Sequence, residues 1–596
     1  GSTIFINSNS DWNYEAETKP WCRGLGTIDY PYIIENVYIE GTGGGNLIEI
    51  RDTTVYFIIR NVTLINGGIG IYIYNSDNGL FDDIKCFGHS SHGIHFRYSE
   101  NLELSNSFIE YCGGHGTDIY DCRSVRISKS NFTNNDRGIN SFSSDYLNFS
   151  SNLLLENYYG IDCDIGENSS VSNNIVINST SIGIYFEDYT NANITDNYVN
   201  NADLHGIGFY NVYNSRIMQN NVTNSDTGIH TSGSSGMNNI VFNNNVSLNG
   251  KGIYAYSSST NIISNIVTEN QEEGIYVSNF GAIVSDNYVA KNRLEGIEIV
   301  DSANSIFINN VIYDNRYDGI FVRSSNNLFF KNNSIDDNRD GMYFEICYNI
   351  IILENEIINN QRNGIRMNGQ YYSWVCNDFN ISENFISFNL ENGIYLYECD
   401  NNNITNNSII GNGNNWILNA GINTGNMIYN NYIDDEYERN DDVSNATRLY
   451  DFSSPQSHYY SDLISNSDDW YSFETLELLA IKVQIITIDN IYFELYSNTT
   501  ILLAENSTII SDRLYYEPDY MGLFYLKIYG GFNSSYTLNI TTSVIENQND
   551  GPPDNTLENE IPGFLPIILI NSLIIITSLK VKKTKEKQKR SSKEKL

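Results

Sequence analysis

Six of the seven histidines lie in the N-terminal half of the chain, at His89, His92, His95, His115, His205 and His230. Four of these fall between residues 88 and 116. Close by in sequence are Arg97, Asp118, Tyr120, Asp162 and Asp164. Together they offer a base, a cation, carboxylates and aromatic rings. Such groups bind sugars, and they can move protons at a glycosidic bond or at the C5 of a uronate. The same histidines are also ordinary metal donors, although no CxxC pair or Cys/His zinc spacing accompanies them.

What would bring these residues to one surface is a repeat. A glycine, usually followed by isoleucine, recurs at Gly70, Gly93, Gly116, Gly138, Gly160, Gly183, Gly206, Gly228, Gly252, Gly274, Gly296, Gly319, Gly341, Gly364, Gly393 and Gly421. An asparagine ahead of an apolar residue keeps time with it, as at Asn131, Asn152, Asn174, Asn221, Asn245, Asn310 and Asn407. A fixed period of this length marks a solenoid. Within one repeat, around Gly183, apolar and polar residues alternate and are bounded by Asn, Asp, Ser and Gly, which reads as short strands between turns. The period therefore predicts an all-β, right-handed, single-stranded parallel β-helix over residues 47–433, with 1–46 as cap and first coils. Sixteen anchors at ~4.8 Å would give ~80 Å of solenoid. An inward asparagine would hydrogen-bond its equivalent one coil away, and the anchor glycine would resist substitution if it holds a positive φ.

In such a fold the residue two after each anchor faces outward. That column holds Tyr72, His95, Asp118, Asn140, Asp162, Tyr185, His230, Tyr254, Tyr276, Tyr343 and Asn423, and Arg97, Tyr120, Asp164 and Glu187 follow two residues on. His95, Arg97, Asp118, Asp162 and Asp164 are the candidate catalytic groups. Tyr120, Tyr185, Tyr254, Tyr276 and Tyr343 are candidate carbohydrate-binding rings. Asp118 and Asp162 would stand ~9.6 Å apart, the upper edge of an inverting pair, with Asp164 and Glu187 nearer a retaining one.

Residues 31–433 resemble the right-handed parallel β-helix superfamily, and their Gly-Ile coils look like NosD-type, carbohydrate-binding and sugar-hydrolase repeats. That resemblance implies the fold and leaves function open, since the superfamily includes lyases, hydrolases, epimerases, adhesins and copper-site assembly proteins. Neither an Asn-x-Asp with Asp-Asp pattern nor a lyase calcium/arginine signature is present. Two functions stay open: a glycan-binding or structural surface protein, and a polysaccharide hydrolase, lyase or epimerase using the His95/Asp118/Asp162 patch.

After residue 433 the period stops, while strand alternation continues to 543. The runs ERNDD from Glu438, SDDWYSF from Ser467, GLFYLKIYG from Gly522 and YTLNI from Tyr536 resemble the prokaryotic pre-peptidase C-terminal domain, an accessory sandwich. Asp441, Asp442, Asp468 and Asp469 are oxygen donors suited to Ca²⁺, or caps of turns. Residues 544–563 read as a polar linker. Residues 564–579 carry no charge, and a basic tail, 580–596, follows. This predicts a transmembrane helix of ~24 Å with the tail inside the cell. Ile561-Pro562-Gly563-Phe564 resembles archaeal sorting signals of the PGF type, which implies either tail removal and lipid anchoring or a retained helix.

The net charge of −38 argues against nucleic acid as partner and leaves glycans, neighbouring surface proteins and the membrane. Sequons at Asn61, Asn131, Asn148, Asn193, Asn221, Asn245, Asn403 and Asn539 agree with an outside location, and export would call for a signal removed from or preceding this sequence. Of the eight cysteines, Cys376 and Cys399 could form a bridge, and the rest read as buried thiols. A protease added to intact cells should degrade the region before residue 561 while an epitope after Lys580 survives. Digestion of that epitope would reverse the topology.

Overall fold

The computed structural model describes residues 3–433, except 234–237, 257–258, 279, 370–375 and 421–423, and the strands with a few flanking residues between 447 and 544. The chain divides into two compact units, Gly1–Glu438 with Asp462–Ile464, and the remainder.

The first unit is a parallel β-solenoid of about 17 turns. Each coil carries up to three strands, as in Ile182–Thr190, Asn193–Thr195 and Tyr198–Asn200, before the next coil begins at His205–Tyr210. The strand that contains or directly follows the anchor glycine joins an 18-stranded first sheet, and the other two strands form second and third ladders. In the opening coils those ladders are one continuous strand, as in Phe57–Ile65 and Gly79–Phe87; later a corner divides it. Isoleucine, valine and phenylalanine from all three faces fill the interior, with Phe307 and Phe330 stacked at 4.9 Å. The helix Asn9–Thr18, N-capped by Ser8, closes one end of that core. Its Trp12 is fully buried against Tyr32 and Phe57, with ring centroids 5.2 and 5.3 Å away.

Corners are made by single left-handed residues followed by a buried amide. Between the second and third strands Asp196, Gln219, Asn243, Ser264 and Asn309 hold φ near +55°, and Asn197, Asn220, Asn244, Asn265 and Asn310 follow them. Backbone N–H and Nδ2 of Asn287 both donate to Oδ1 of Asn310, at 3.1 and 2.9 Å, while Nδ2 also donates to the Ile262 carbonyl. The pattern runs from Asn152 to Asn431. A second ladder at the next corner includes Asn249, Asn270, Asn292, Asn315, Asn338, Asn360, Asn389 and Asn412. Asn131, Asn221 and Asn245 belong to neither; each opens a third-ladder strand and faces outward.

The anchor glycines differ from expectation in their physical reason. Among the described residues none of them is at positive φ. They are required by proximity: a Cβ on Gly183 would lie 2.5 Å from the carbonyl oxygen of Gly206, and one on Gly296 2.7 Å from that of Gly319. Gly421 and Asn423, expected as the last anchor and its outward partner, lie outside the described residues, and described residues earlier in that coil take both places. Ile417 pairs with Ile394 and Trp416 takes the place opposite Gly393, so Leu418 rather than Asn423 continues the outward column. Cys347, Cys376 and Cys399 share one corner of three successive coils. All eight cysteines are buried thiols outside any disulfide, so the Cys376–Cys399 bridge is not formed.

In the second unit the strands form sheets of five and four strands. Asp469–Thr475 runs antiparallel to Gly522–Tyr529, and Leu479–Ile486 to Ser534–Val544, with Phe473, Ile481, Val483, Phe524, Leu526 and Ile540 buried. Among the described residues no helix is long and apolar enough to cross a membrane; residues 564–579 lie outside them, as do Asp441, Asp442 and Asp468.

Asn310→Ala would leave both Asn287 donors without their acceptor. The expected cost is about 2–5 kcal/mol, seen as an earlier urea transition and as lost amide protection between residues 284 and 336. An unchanged transition would mean the ladder contributes little.

Candidate functional site

The first sheet carries the candidate residues in register. His95 pairs with Tyr72 on one side and Asp118 on the other; Asp118 pairs with Asn140, Asn140 with Asp162, and Asp162 with Tyr185. Arg97, Tyr120, Phe142, Asp164 and Glu187 align two residues further on. The outward column read from the sequence is therefore continuous here.

A third column was missed. Residues immediately before several anchor glycines also reach this face: His92, Arg137, Tyr159, His205, Lys251 and Asp340 contact Asp118, Asp162, Tyr185, His230, Tyr254 and Arg366 of the outward column. Simple strand alternation would pair that position with the inward isoleucine. The signal was present in the sequence, because a polar or titratable residue precedes most of the anchors.

At the N-terminal end these columns gather three histidines beside two carboxylates, Asp118 and Asp136. His95 Nε2 lies 3.3 Å and His92 Nε2 3.9 Å from Asp118 Oδ2, and His115 Nδ1 lies 3.4 Å from Asp136. Asn140 Nδ2 donates to Asp118 Oδ1 at 2.6 Å, and the His115 backbone N–H donates to His92 Nδ1 at 3.1 Å. His95 Nε2 and His115 Nδ1 are buried without a hydrogen-bond partner. Desolvation lowers all three imidazoles, His95 and His115 to about 4, against the pull of Asp118, so they are neutral at pH 7. Arg97 lies over Tyr98 and Tyr120, 5.0 and 4.8 Å from their centroids.

Two coils on, Arg137 Nε donates to Asp162 Oδ2. Asp162 is 2% exposed, and its Oδ1 has no partner. Burial, reinforced by Asp164, raises its pKa to about 7. Asp164 rises to about 6 by burial and the neighbouring Glu187. Tyr185 donates to Glu187 at 3.2 Å. Strongly shifted acids beside a cation and a phenol mark functional sites more often than plain surface.

The remaining candidate rings are spread along the face. Tyr254 and Tyr276 stack on each other at 4.4 Å and 9°, so each covers one face of its neighbour. Tyr343 is 8% exposed, beneath the Arg366 guanidinium at 4.4 Å, and bonds Glu345 and Asn368. Before the anchors of the later coils stand Glu273, Glu295, Asp318 and Asp340, partly matched by Lys251, Arg339 and Arg366.

A family model described as "Right handed beta helix region" matches residues 3–163 and 251–375, which span most of the solenoid. The chain is a right-handed β-helix repeat protein. A second model, "Periplasmic copper-binding protein (NosD)", matches residues 89–249. No curated protein matches the chain. Among solved structures this β-helix is similar to the Dettilon tailspike protein, at 12% identity over 74% of this chain and 87% of that one, TM-score 0.33. It is also similar to the mannuronan C-5 epimerase AlgE4 A-module of Azotobacter vinelandii, at 13% identity over 65% and 91%, TM-score 0.28. A tailspike of E. coli bacteriophage HK620 solved with a hexasaccharide gives 13%, 86% and 86%, and 0.32.

The shift of Asp162 has a consequence for stability. The folded β-helix keeps this proton after the unfolded chain has released it near pH ~4, so Asp162 contributes less stability as pH rises from about 4 to about 7. Relative to Asp162→Asn, whose side chain stays neutral, the wild-type Tm should therefore fall over that window and hold steady above it. A difference independent of pH would show that Asp162 ionises in the ordinary range.

Proposed function

We propose that this protein binds a glycan along the outer face of the first sheet. The observation that supports this most is the repeated laying of a cation over a ring on that face. Arg51 covers Tyr72 and Tyr74, Arg97 covers Tyr98 and Tyr120, Arg137 covers Tyr159, and Lys251 covers Tyr254. The ring faces and edges that these cations leave open can take the apolar C–H surface of a pyranose, and the guanidinium and carboxylate groups beside them its hydroxyls. Coils ~4.8 Å apart repeat this pairing along an extended chain. The net charge of −38 favours a neutral or weakly charged glycan over a polyanion.

In this reading the β-helix works outside the cell. The family matched over residues 89–249 is described as periplasmic, which supports export. Residues 564–579 and the basic tail would hold it to an archaeal membrane, directly or through a lipid. Residues 434–543 would be the accessory sandwich, with Asp441, Asp442, Asp468 and Asp469 as its calcium ligands. Neighbouring surface proteins are the other partner this face could meet.

Polysaccharide processing is a second reading, favoured by the raised Asp162 and Asp164. An acid with a pKa near 7 can donate a proton to a leaving glycosidic oxygen and a second carboxylate can accept one. At 2% exposure, however, Asp162 cannot touch a substrate in this conformation. Binding is the better supported function.

On a glycan array the wild-type protein should select a ligand class. Tyr120→Ala and Phe142→Ala, whose rings stack at 5.5 Å, should each weaken it roughly threefold to tenfold. Equal binding by both variants would move the site off this face. Release of reducing ends or unsaturated uronate by the wild type, lost in Asp162→Asn, would establish the enzyme instead.

A further inference from the structure

We propose that His92, His95 and Asp118 form a binding site for a divalent transition-metal ion. Their ligand atoms lie within 4.8 Å of one another. Ligands at ~2.0–2.1 Å around a tetrahedral ion sit ~3.3 Å apart. The His95–Asp118 separation of 3.3 Å already has that value, and the His92–Asp118 separation of 3.9 Å needs only a small closure.

The surroundings favour an ion over a plain surface cluster. His95 Nε2 is buried with no hydrogen-bond partner, a cost that coordination would remove. Asp118 presents Oδ2 to the imidazoles because Asn140 holds its other oxygen at 2.6 Å, the outer-shell support that ligating carboxylates use. His95 and Asp118 are register partners on adjacent coils of the first sheet, so their spacing is fixed by the backbone ladder. Two imidazoles and one carboxylate suit Zn²⁺ or Cu²⁺ and ill suit Ca²⁺ or Mg²⁺, which take oxygen ligands. Three protein ligands leave a fourth position for water, with the His115 ring 4.9 Å from that of His92.

Coordination has one local requirement. His92 Nδ1 now accepts the His115 N–H, so its proton is on Nε2. To bind through Nε2 the ring must move that proton to Nδ1, and the His115 amide loses its acceptor. No net proton is released by His92 in this exchange.

The test uses the full chain, stripped with chelator and titrated calorimetrically with Zn²⁺ and, separately, Cu²⁺. One ion per chain should bind and raise the Tm, and X-ray absorption of the loaded wild type should show two imidazole nitrogens and one carboxylate oxygen. His95→Gln and Asp118→Asn should weaken binding at least about 100-fold, and Asn140→Ala about 10- to 100-fold, with β-sheet circular dichroism retained. His205→Gln should bind as the wild type does. No uptake of either ion, a coordination shell without imidazole, or loss of binding in His205→Gln with retention in His95→Gln would each overturn the proposal. Because the wild-type absorption spectrum identifies the ligands directly, a variant that fails to fold leaves the test decisive.

Discussion

The distance between one anchor glycine and the next is the constraint on which this molecule depends. At Gly183 and Gly296 a single methyl group would intrude to within 2.7 Å of the next coil's carbonyl oxygen, well inside van der Waals contact. With hydrogen there, the coils close to backbone hydrogen-bonding distance at every anchor, as in Ile275 N–H to the Gly296 carbonyl at 3.0 Å. Asparagine performs the complementary task at the corners. Strands of three residues satisfy few backbone groups by themselves, and the buried amide supplies a donor to the previous coil and an acceptor for it. An unpaired group there would cost about 1–3 kcal/mol, and the ladder repeats through thirteen consecutive asparagines, from Asn152 to Asn431.

Much of this was legible because periodicity survives translation into space. A glycine every 22 to 24 residues fixed the coil, and strand alternation put His95, Asp118 and Asp162 in one column, as the register bears out. What failed did so for local reasons. Asn131, Asn221 and Asn245 share a sequence context with true ladder members, and only the position of the left-handed residue tells them apart. Asn243 holds φ +54° and precedes buried Asn244, which leaves Asn245 to open a strand. Gly421 falls close to the period, but Trp416 takes the anchor position instead, at a step of 23 from Gly393.

Side-chain packing between coils was less accessible. Tyr254 and Tyr276 were expected to offer their faces outward, yet equal rings ~4.8 Å apart on a parallel sheet meet each other first and stack at 4.4 Å, as in any in-register ladder. Tyr343 is covered because the next coil places an arginine, Arg366, directly above it. The period gives the neighbours of a residue. Their identities decide whether it is free.

The candidate site follows from the glycine constraint itself. The anchor carries no side chain of its own and brings successive coils close together, and the residue before the glycine leans toward the outward column of the next coil. His92 approaches Asp118 this way, and Arg137 approaches Asp162. Pairs formed across such a corner are screened from water by the coils above and below. That is why the imidazoles of His92 and His95 lose affinity for protons while Asp162 and Asp164 hold theirs. The same corner carries Lys251 against Glu273 and Arg339 against Asp318 further along, where cation and carboxylate match and the pairs are structural. Function is therefore best sought where the corner is left unmatched. Among the described residues His95 Nε2 and Asp162 Oδ1 are both buried there without a hydrogen-bond partner, at the end of the solenoid where the histidines gather.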